Sequence, residues 1–286
     1  MYEAHFGMRV RPFDGGIAQD LNVFRGGAQD AIIGKFKQAL AAPDSVVVLT
    51  GSAGVGKTTL TSTALRATST RLALAWLNAV PTNATELLEL LLVELGVNAH
   101  RATRIERLQM WRQTLSELSA TESRVFVIAE RTEDLAPEVL RALDSLTAAD
   151  ANGFAGANVV LLGGPGLDPL LAQPAYDSLR QRIRLRQKIA PLAAAELDDY
   201  LRHRVASAGG DFDRVFAPGT TAAVQRYTGG IPRIANTLCD AALGIAAAES
   251  RPSLTPELIG RVAVELLGLG EHAAPPSAQT APAGTP

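Results

Sequence analysis

The sequence predicts an α/β fold in which a parallel sheet, with helices on both of its faces, is followed by an all-helical unit. Three observations carry this prediction. Short apolar runs alternate with helical patterns over most of the chain, as they do in parallel sheets. A glycine-rich loop joins the first apolar run directly to a helix. From about Pro191 onwards, helical patterns follow one another with no strand between them.

The predicted strands are short apolar or alternating segments, and a helical stretch, DAIIGKFKQAL (30–40), precedes the first of them. Between the second and third strands, TNATELLELLLVELG (82–96) predicts a helix capped by Thr82 or Asn83, because both side chains can accept from helix N–H groups. The strands are VVVLT (46–50), LALAWLN (72–78), RVFVIAE (124–130), ANVVLLGG (157–164) and a fifth within RIRLRQKIAPL (182–192).

Two further helices flank the third strand. PEVLRALDSL (137–146) follows it, and residues 104–119 precede it. The helix over 104–119 has one predicted apolar face, formed by Ile105, Leu108, Trp111, Leu115 and Leu118.

Changes of pattern and composition divide the chain into four predicted segments. Residues 1–40 form an N-terminal strap, residues 41–190 the α/β core, and residues 191–267 the helical unit. Residues 268–286 are rich in proline and alanine with almost no bulky apolar side chain, which predicts a disordered tail.

Composition and charge favour a globular protein of the cytoplasm. The net charge of −2 gives no general attraction to nucleic acid or anionic lipid, so we expect no nucleic-acid partner. The single cysteine, Cys239, fits a reducing compartment, and its neighbours favour a buried apolar role. MYEAHFGMRV has no apolar run preceded by basic residues, which argues against a signal peptide. We therefore expect contact with the inner membrane only through partners.

The strongest functional motif is GSAGVGKTT, which matches G-x-x-x-x-G-K-[ST] between the first strand and a helix. Glycines permit the tight turn that aims backbone N–H groups at phosphate oxygens, and the helix N-terminus adds partial positive charge. Lys57 is expected to reach the β- and γ-phosphates, and the Thr58 hydroxyl to ligate Mg²⁺. The predicted nucleotide-binding residues are Gly51, Ser52, Ala53, Gly54, Val55, Gly56, Lys57, Thr58 and Thr59.

Further motifs, around and outside the phosphate loop, carry a resemblance to a known family. They are MYEAHFGM at the start, VLTGSAGVGKTTL, LLGGPGL, LRQRI (179–183) and RYTGGIPRIANTLCD (226–240). With these motifs the chain resembles the AAA+ ATPases of the general-secretion-pathway A type, and especially the exosortase-associated (PEP-CTERM) ATPases of exopolysaccharide loci. The resemblance implies a RecA-like P-loop core with a helical lid domain, ATP and Mg²⁺ as ligands, and a ring of identical subunits. It also implies membrane-associated secretion or polysaccharide-export proteins as partners.

The resemblance also implies roles for three arginines. Arg180 or Arg182 is expected to act as an arginine finger on a neighbouring subunit, and Arg233 as the lid arginine that senses the γ-phosphate. Arginine suits both tasks because its planar guanidinium stabilises charge on a transferring phosphoryl group. The alternative for Arg233 is a solvent-facing residue at a helix start.

Basic residues recur with period two along the fifth strand. Arg182, Arg184, Arg186 and Lys188 share one predicted face, opposite apolar side chains. This face is either a subunit or nucleic-acid interface or a solvated edge.

Two positions depart from the family pattern. The third strand normally ends in Asp-Glu, where the aspartate holds Mg²⁺ through water and the glutamate orients the attacking water. Here either Ala129 takes the aspartate place and Glu130 the glutamate place, or Glu130 takes the aspartate place; Glu133 and Asp134 lie close enough in sequence to substitute. After the fourth strand, Gly164 stands where the family has a polar side chain.

Three functions remain open from the sequence. The first is a weak or partner-stimulated ATPase of a cell-envelope secretion or exopolysaccharide system, with Glu130 as its catalytic carboxylate. The second is a scaffold of the same fold that binds ATP or ADP and hardly hydrolyses. The third is a DNA-binding AAA+ regulator of the transposition or replication type, which the net charge disfavours.

Overall fold

The structure is a computed structural model that describes residues 2–14, 23–24, 26–68, 70–149 and 156–271. The chain divides into two compact units, which are residues 27–190 and residues 1–26 with 191–286. The division before Pro191 coincides with the predicted start of the helical unit. The predicted strap over 1–40 is itself divided after Gly26, and of the predicted tail, residues 272–286 lie outside the described residues.

A five-stranded sheet forms the centre of the unit spanning residues 27–190. All its paired strands run parallel, in the order β2-β3-β4-β1-β5. Because parallel strands need crossover connections, each successive pair is joined through helical segments. The strands are β1 (Val46–Thr50), β2 (Leu72–Leu77), β3 (Arg124–Ala129), β4 (Asn158–Gly163) and β5 (Ile183–Lys188).

Helices precede, connect and follow these strands. They are α1 (Tyr2–His5), α2 (Gly27–Ala41), α3 (Lys57–Arg66), α4 (Ala84–Glu94), α5 (Arg104–Ala120), α6 (Pro137–Thr147), α7 (Leu167–Leu171), α8 (Asp177–Gln181), α9 (Ala194–Ser207), α10 (Phe212–Val215), α11 (Thr220–Thr228), α12 (Pro232–Ala248) and α13 (Pro256–Arg261). A π-helical segment, Val262–Leu266, follows α13.

Both faces of the sheet are covered, as the sequence predicts. On one face, Val46 and Val48 of β1 belong to an apolar cluster with side chains of α4, α5 and α6. Since side chains alternate along a strand, Val47 and Leu49 point to the other face, where they are fully buried. Helix α2 packs against α3, β1 and β5, which explains why it belongs to this unit rather than to a separate strap.

Local capping decides where two of the helices begin. The Asn83 side chain accepts the N–H groups of Thr85 and Glu86, so Asn83, of the two predicted candidates, caps α4. Thr103 and Glu106 form a reciprocal capping box at the start of α5. The predicted apolar face of α5 is wrong at its first position, since Ile105, two residues beyond the cap, is 70% exposed.

The other unit is a helical assembly around α12. Its core brings together side chains from α9, α11, α12 and α13, and Cys239 lies fully buried within it. N-terminal side chains, among them Tyr2, Met8 and Phe13, complete this core. The Tyr2 hydroxyl donates to Asp240, which also pairs with Arg11. No helix in the described part of the chain is both long and apolar enough to span a membrane.

Candidate functional site

The phosphate loop leaves the sheet at the carboxyl end of β1 and enters α3. Gly51, Gly54 and Gly56 have φ values of +157°, +82° and +99°, a region in which only glycine is at ease. A Cβ at Gly51 would lie 2.5 Å from the Ile189 carbonyl oxygen. The backbone conformation of the loop therefore requires glycine at these positions. The loop ends at the N-terminus of a ten-residue helix.

Lys57 closes the loop on itself. Its Nζ donates to the carbonyl oxygens of Gly51 and Ser52 at 2.8 and 3.0 Å. Ser52, Ala53 and Thr59 are exposed, whereas Val55 is buried and anchors the turn. An ammonium group held over an open loop with a helix N-terminus beneath it fits the binding of phosphate groups.

Glu130 lies beside the residue expected to ligate Mg²⁺. The Thr58 hydroxyl donates to Glu130 Oε1 at 2.9 Å, and the indole Nε1 of Trp76 donates to the same oxygen at 3.2 Å. A hydroxyl and a carboxylate at this spacing are oxygen ligands of the kind that Mg²⁺ takes directly or through water. These two residues would hold the ion, which when bound neutralises charge on the phosphates.

Ala129 faces away from this pair. Its side chain is 1% exposed and belongs to the apolar cluster that also contains Val125 and Val127. Because strand side chains alternate, the next residue, Glu130, leaves the strand on the other side. A carboxylate at position 129 would be buried among apolar groups, so this geometry favours the interpretation in which Glu130 takes the aspartate place.

The turn after β3 directs two neighbouring carboxylates in different directions. Thr132 is fully buried, and its hydroxyl lies 3.0 Å from the carbonyl oxygen of Ala129 and 3.2 Å from that of Leu162. Glu133 points back to the sheet, where Oε1 accepts the N–H of Gly164 at 2.6 Å. Asp134 pairs instead with the exposed Arg131 at 2.7 Å. Of the two predicted substitutes, Glu133 approaches the strand ends and Asp134 faces solvent.

The two arginines of LRQRI occupy different environments. Arg180 is 42% exposed and pairs with Asp177 at 2.6 Å, so it lies on the surface of its unit. The Arg182 side chain is only 11% exposed and pairs with Asp144 at 2.9 Å and with Asp44. It also donates to the hydroxyl of Thr147, at 3.1 Å. The structure thus assigns Arg182 to the core of its unit and leaves Arg180 as the accessible arginine of the pair.

Arg233 lies in the other compact unit. It is exposed in the first turn of α12, directly after Pro232. The preceding Gly230 has a φ of +75°, and a Cβ there would overlap the Leu192 carbonyl oxygen. Gly230 is therefore required by close backbone packing, while the exposed side chain of Arg233 is not buried by this packing.

The predicted basic face of the fifth strand is partly present. Along β5, Arg184, Arg186 and Lys188 are exposed and alternate with half-buried residues. Arg182 does not share this face, because its guanidinium is buried at the start of the strand. Arg186 pairs with Asp168 at 2.9 Å, and β5 forms one edge of the sheet.

Two contacts at the site were not expected from sequence. Trp76 holds Glu130, and Asp168 Oδ2 accepts the hydroxyl of Thr50 at 3.2 Å, just before the phosphate loop. Each pair is far apart in the chain, so no local motif links its members. The position of Trp76 near the end of a strand that neighbours β3 was the only available signal.

The sequence of the chain is similar to those of known AAA proteins. A family model of the AAA domain matches residues 41–171. General secretion pathway protein A of Aeromonas hydrophila is 30% identical over 227 residues, which cover 79% of this chain and 41% of the relative. The chain thus spans less than half the length of that relative.

Solved structures share the fold at lower identity. The ADP form of the Aeropyrum pernix ORC2 protein superposes with a TM-score of 0.70 at 20% identity, covering 89% of this chain and 72% of that one. The Thermotoga maritima RuvB branch migration motor superposes with a TM-score of 0.54 at 18% identity, covering 84% and 69% of the two chains. These likenesses support the P-loop fold followed by helices and carry no further functional argument.

Proposed function

The chain belongs to the AAA+ ATPases of the general-secretion-pathway A type, and from that membership we propose that it binds ATP with Mg²⁺ and hydrolyses it slowly or only with a partner. One observation carries the proposal: the Thr58 hydroxyl lies 2.9 Å from Glu130 at the first turn after an open phosphate loop. Binding depends on loop N–H groups, Lys57 and Thr58, all in place for phosphate and Mg²⁺.

Slow turnover follows from what the strand ends lack. Whether Ala129 or Glu130 takes the aspartate place, one carboxylate of the family's Asp-Glu pair is missing, and Gly164 supplies no side chain to contact the γ-phosphate. Losing one charge-assisted contact costs about 1.5–3 kcal/mol, or roughly ten- to a hundredfold in rate. We therefore expect tight binding with weak intrinsic hydrolysis.

The cellular role that we propose is service to a cell-envelope secretion or exopolysaccharide-export system. The relative named for general secretion supports this role, as do the motifs shared with exosortase-associated ATPases. We propose a ring of identical subunits in which Arg180 reaches the nucleotide of a neighbour and Arg233 senses the γ-phosphate. The exposure of both arginines supports these assignments.

A nucleotide-gated scaffold is the second candidate. It is favoured by the Ala129-Glu130 pair at the end of β3, which has one carboxylate, bonded to Thr58, where the family has two. In this case ATP binding alone would order an interface, and turnover would stay at background.

Separate measurements of ATP binding and turnover test the proposal. Wild-type protein and Lys57→Ala are compared with Mg²⁺ present, and assembly is followed by sedimentation with ATP or ADP. Binding with turnover above the Lys57→Ala background supports a true ATPase, and binding without it supports the scaffold. Failure to bind ATP would refute both. In cells, lost export on replacing the gene with Lys57→Ala would support the secretion role.

A DNA-binding role is tested by a mobility shift with duplex DNA at several salt concentrations. Its structural support among the described residues is the exposed basic face of β5, formed by Arg184, Arg186 and Lys188. A strong, salt-dependent shift that is lost on Arg184→Ala would favour this function over envelope transport.

A further inference from the structure

The carboxylate of Glu133 is held at the carboxyl end of β4 with one oxygen unused. Oε1 accepts the N–H of Gly164 at 2.6 Å. Oε2 is buried and has no hydrogen-bond partner within the described residues. A buried acceptor without a donor is unfavourable, so a ligand atom that donates to Oε2 would be stabilised there.

Two glycines make the room for this carboxylate. Neither Gly163 nor Gly164 has a left-handed backbone, so conformation does not require glycine at either position. A Cβ at Gly163 would lie 2.5 Å from Glu133 Oε2 and 2.7 Å from Leu167 Cδ2, and one at Gly164 would lie 2.7 Å from Glu133 Oε1. The Glu133 side chain therefore occupies the space that a side chain at Gly164 would fill, and it shares the space beside Gly163 with Leu167.

The position of Glu133 relative to the phosphate loop follows from the sheet. The N–H of Gly51, the first residue of the loop, donates to the carbonyl oxygen of Gly163 at 3.2 Å. Glu133 is thus bonded to Gly164, the residue that follows the one in contact with the loop. The buried hydroxyl of Thr132, bonded to the ends of both β3 and β4, fixes the turn that aims Glu133 there.

The family's two carboxylates hold Mg²⁺ and orient the attacking water. Glu130 is not placed for both roles, because the Thr58 hydroxyl and the Trp76 indole hold its Oε1 beside the expected Mg²⁺ ligand. We propose that these two roles are divided: Glu130 helps to hold Mg²⁺, and Glu133 is the catalytic residue that accepts a proton from the attacking water. This inference rests on the ATPase function proposed above. It assigns to Glu133 the place at the β4 end that Gly164 leaves without a side chain.

The proposed step is an ordinary hydrolysis. The water oxygen forms a bond to the γ-phosphorus, and the bond from that phosphorus to the β,γ-bridging oxygen breaks. ADP leaves with the bridging oxygen, and inorganic phosphate is released. The proton from water passes to the Glu133 carboxylate and then to phosphate or solvent.

The main test compares Glu133→Gln with wild type. The amide oxygen of glutamine can still accept the Gly164 N–H, but the side chain can no longer take a proton. We expect kcat to fall about a hundredfold or more, while the Kd for a non-hydrolysable ATP analogue with Mg²⁺ changes by less than about threefold. Asp134→Asn is the matched control, since Asp134 pairs with Arg131 on the surface and should leave kcat unchanged.

A magnesium titration separates the two carboxylates. Glu130→Gln should raise the Mg²⁺ concentration needed for half-maximal binding of the analogue, whereas Glu133→Gln should leave it unchanged. A fall in kcat with an unchanged Mg²⁺ requirement and an unchanged Kd would place the effect of Glu133→Gln on the chemical step, whereas a structural role would lower analogue binding or thermal stability as well.

Gly164→Ala gives a second, independent perturbation. Its methyl group would displace the Glu133 carboxylate, so kcat should fall as in Glu133→Gln. The double variant should be no slower than Glu133→Gln alone, because both changes remove the same group. Thermal unfolding of each variant shows whether the fold is kept.

The outcomes distinguish this inference from the function on which it rests. Equal kcat in wild type and Glu133→Gln overturns the division of tasks and leaves the ATPase proposal intact. Binding without turnover above the Lys57→Ala background also overturns it, in favour of the scaffold. Absence of Mg²⁺-dependent ATP binding overturns the proposed function itself.

Discussion

Replacing Arg182 with alanine should destabilise the unit that contains the sheet. The guanidinium pairs with two carboxylates, and the side chains of Arg182 and Asp144 are only 11% and 15% exposed. It also donates to the carbonyl oxygens of Thr147 and Ala157 at 3.1 and 3.3 Å, and so links the end of α6 to the start of β4. Removing one partner of a buried ion pair costs about 3–5 kcal/mol, because the other charge stays buried.

This loss can be measured by denaturation followed through tryptophan fluorescence. Both tryptophans, Trp76 and Trp111, lie in the unit that contains the sheet, and the Trp111 indole donates to the Leu146 carbonyl oxygen at 2.8 Å. At about 2–4 °C per kcal/mol for a domain of this size, the midpoint should fall by roughly 6–20 °C. Arg180→Ala is the matched control. Its exposed pair contributes about 0–1 kcal/mol, so its midpoint should move little.

The opposite result would refute the reasoning. Suppose that the free energy of unfolding of Arg182→Ala is within about 1 kcal/mol of the wild-type value and that the variant loses ATP turnover. Arg182 would then act on the nucleotide, and its ion pairs would not be needed for stability. If instead Arg180→Ala keeps its stability and loses turnover in the assembled protein, the arginine finger is Arg180.

Three further outcomes are expected. Gly51→Ala should abolish ATP binding, since its Cβ would lie 2.5 Å from the Ile189 carbonyl oxygen; normal affinity in an equilibrium binding assay would contradict this. Nucleotide binding should change the fluorescence of Trp76, and the change should vanish in Trp76→Phe, because Trp111 is 1% exposed and lies in the core. Burial raises the pKa of the Cys239 thiol, so native protein at pH 8 should resist alkylation until the helical unit unfolds, as mass spectrometry can follow; rapid labelling of the folded protein would show that this core opens.

Much of the fold could be predicted because its signals are local. The five strands are short apolar or alternating runs; the first four lie within one residue of their predicted bounds, and the fifth lies inside the predicted segment 182–192. The phosphate loop is a contiguous motif, and its glycines stand where the backbone has positive φ values. The boundary near Pro191 could be read because strands cease there. Local sequence was less informative for residues 1–40, whose two halves pack into different units.

The sequence by itself determined the class of fold, the phosphate loop and the Ala129-Glu130 pair at the end of the third strand, because each depends on residues that are neighbours in the chain. Only the tertiary structure decided the direction of side chains at the strand ends. It directs the side chain of Ala129 into an apolar cluster, that of Glu130 towards Thr58 and that of Glu133 towards Gly164. It also buried Arg182 among residues from three separate segments, at Asp44, Asp144–Thr147 and Ala157. The physical reason is that parallel strands bring distant segments to one edge of a sheet, where alternation and packing, not spacing, set which groups meet.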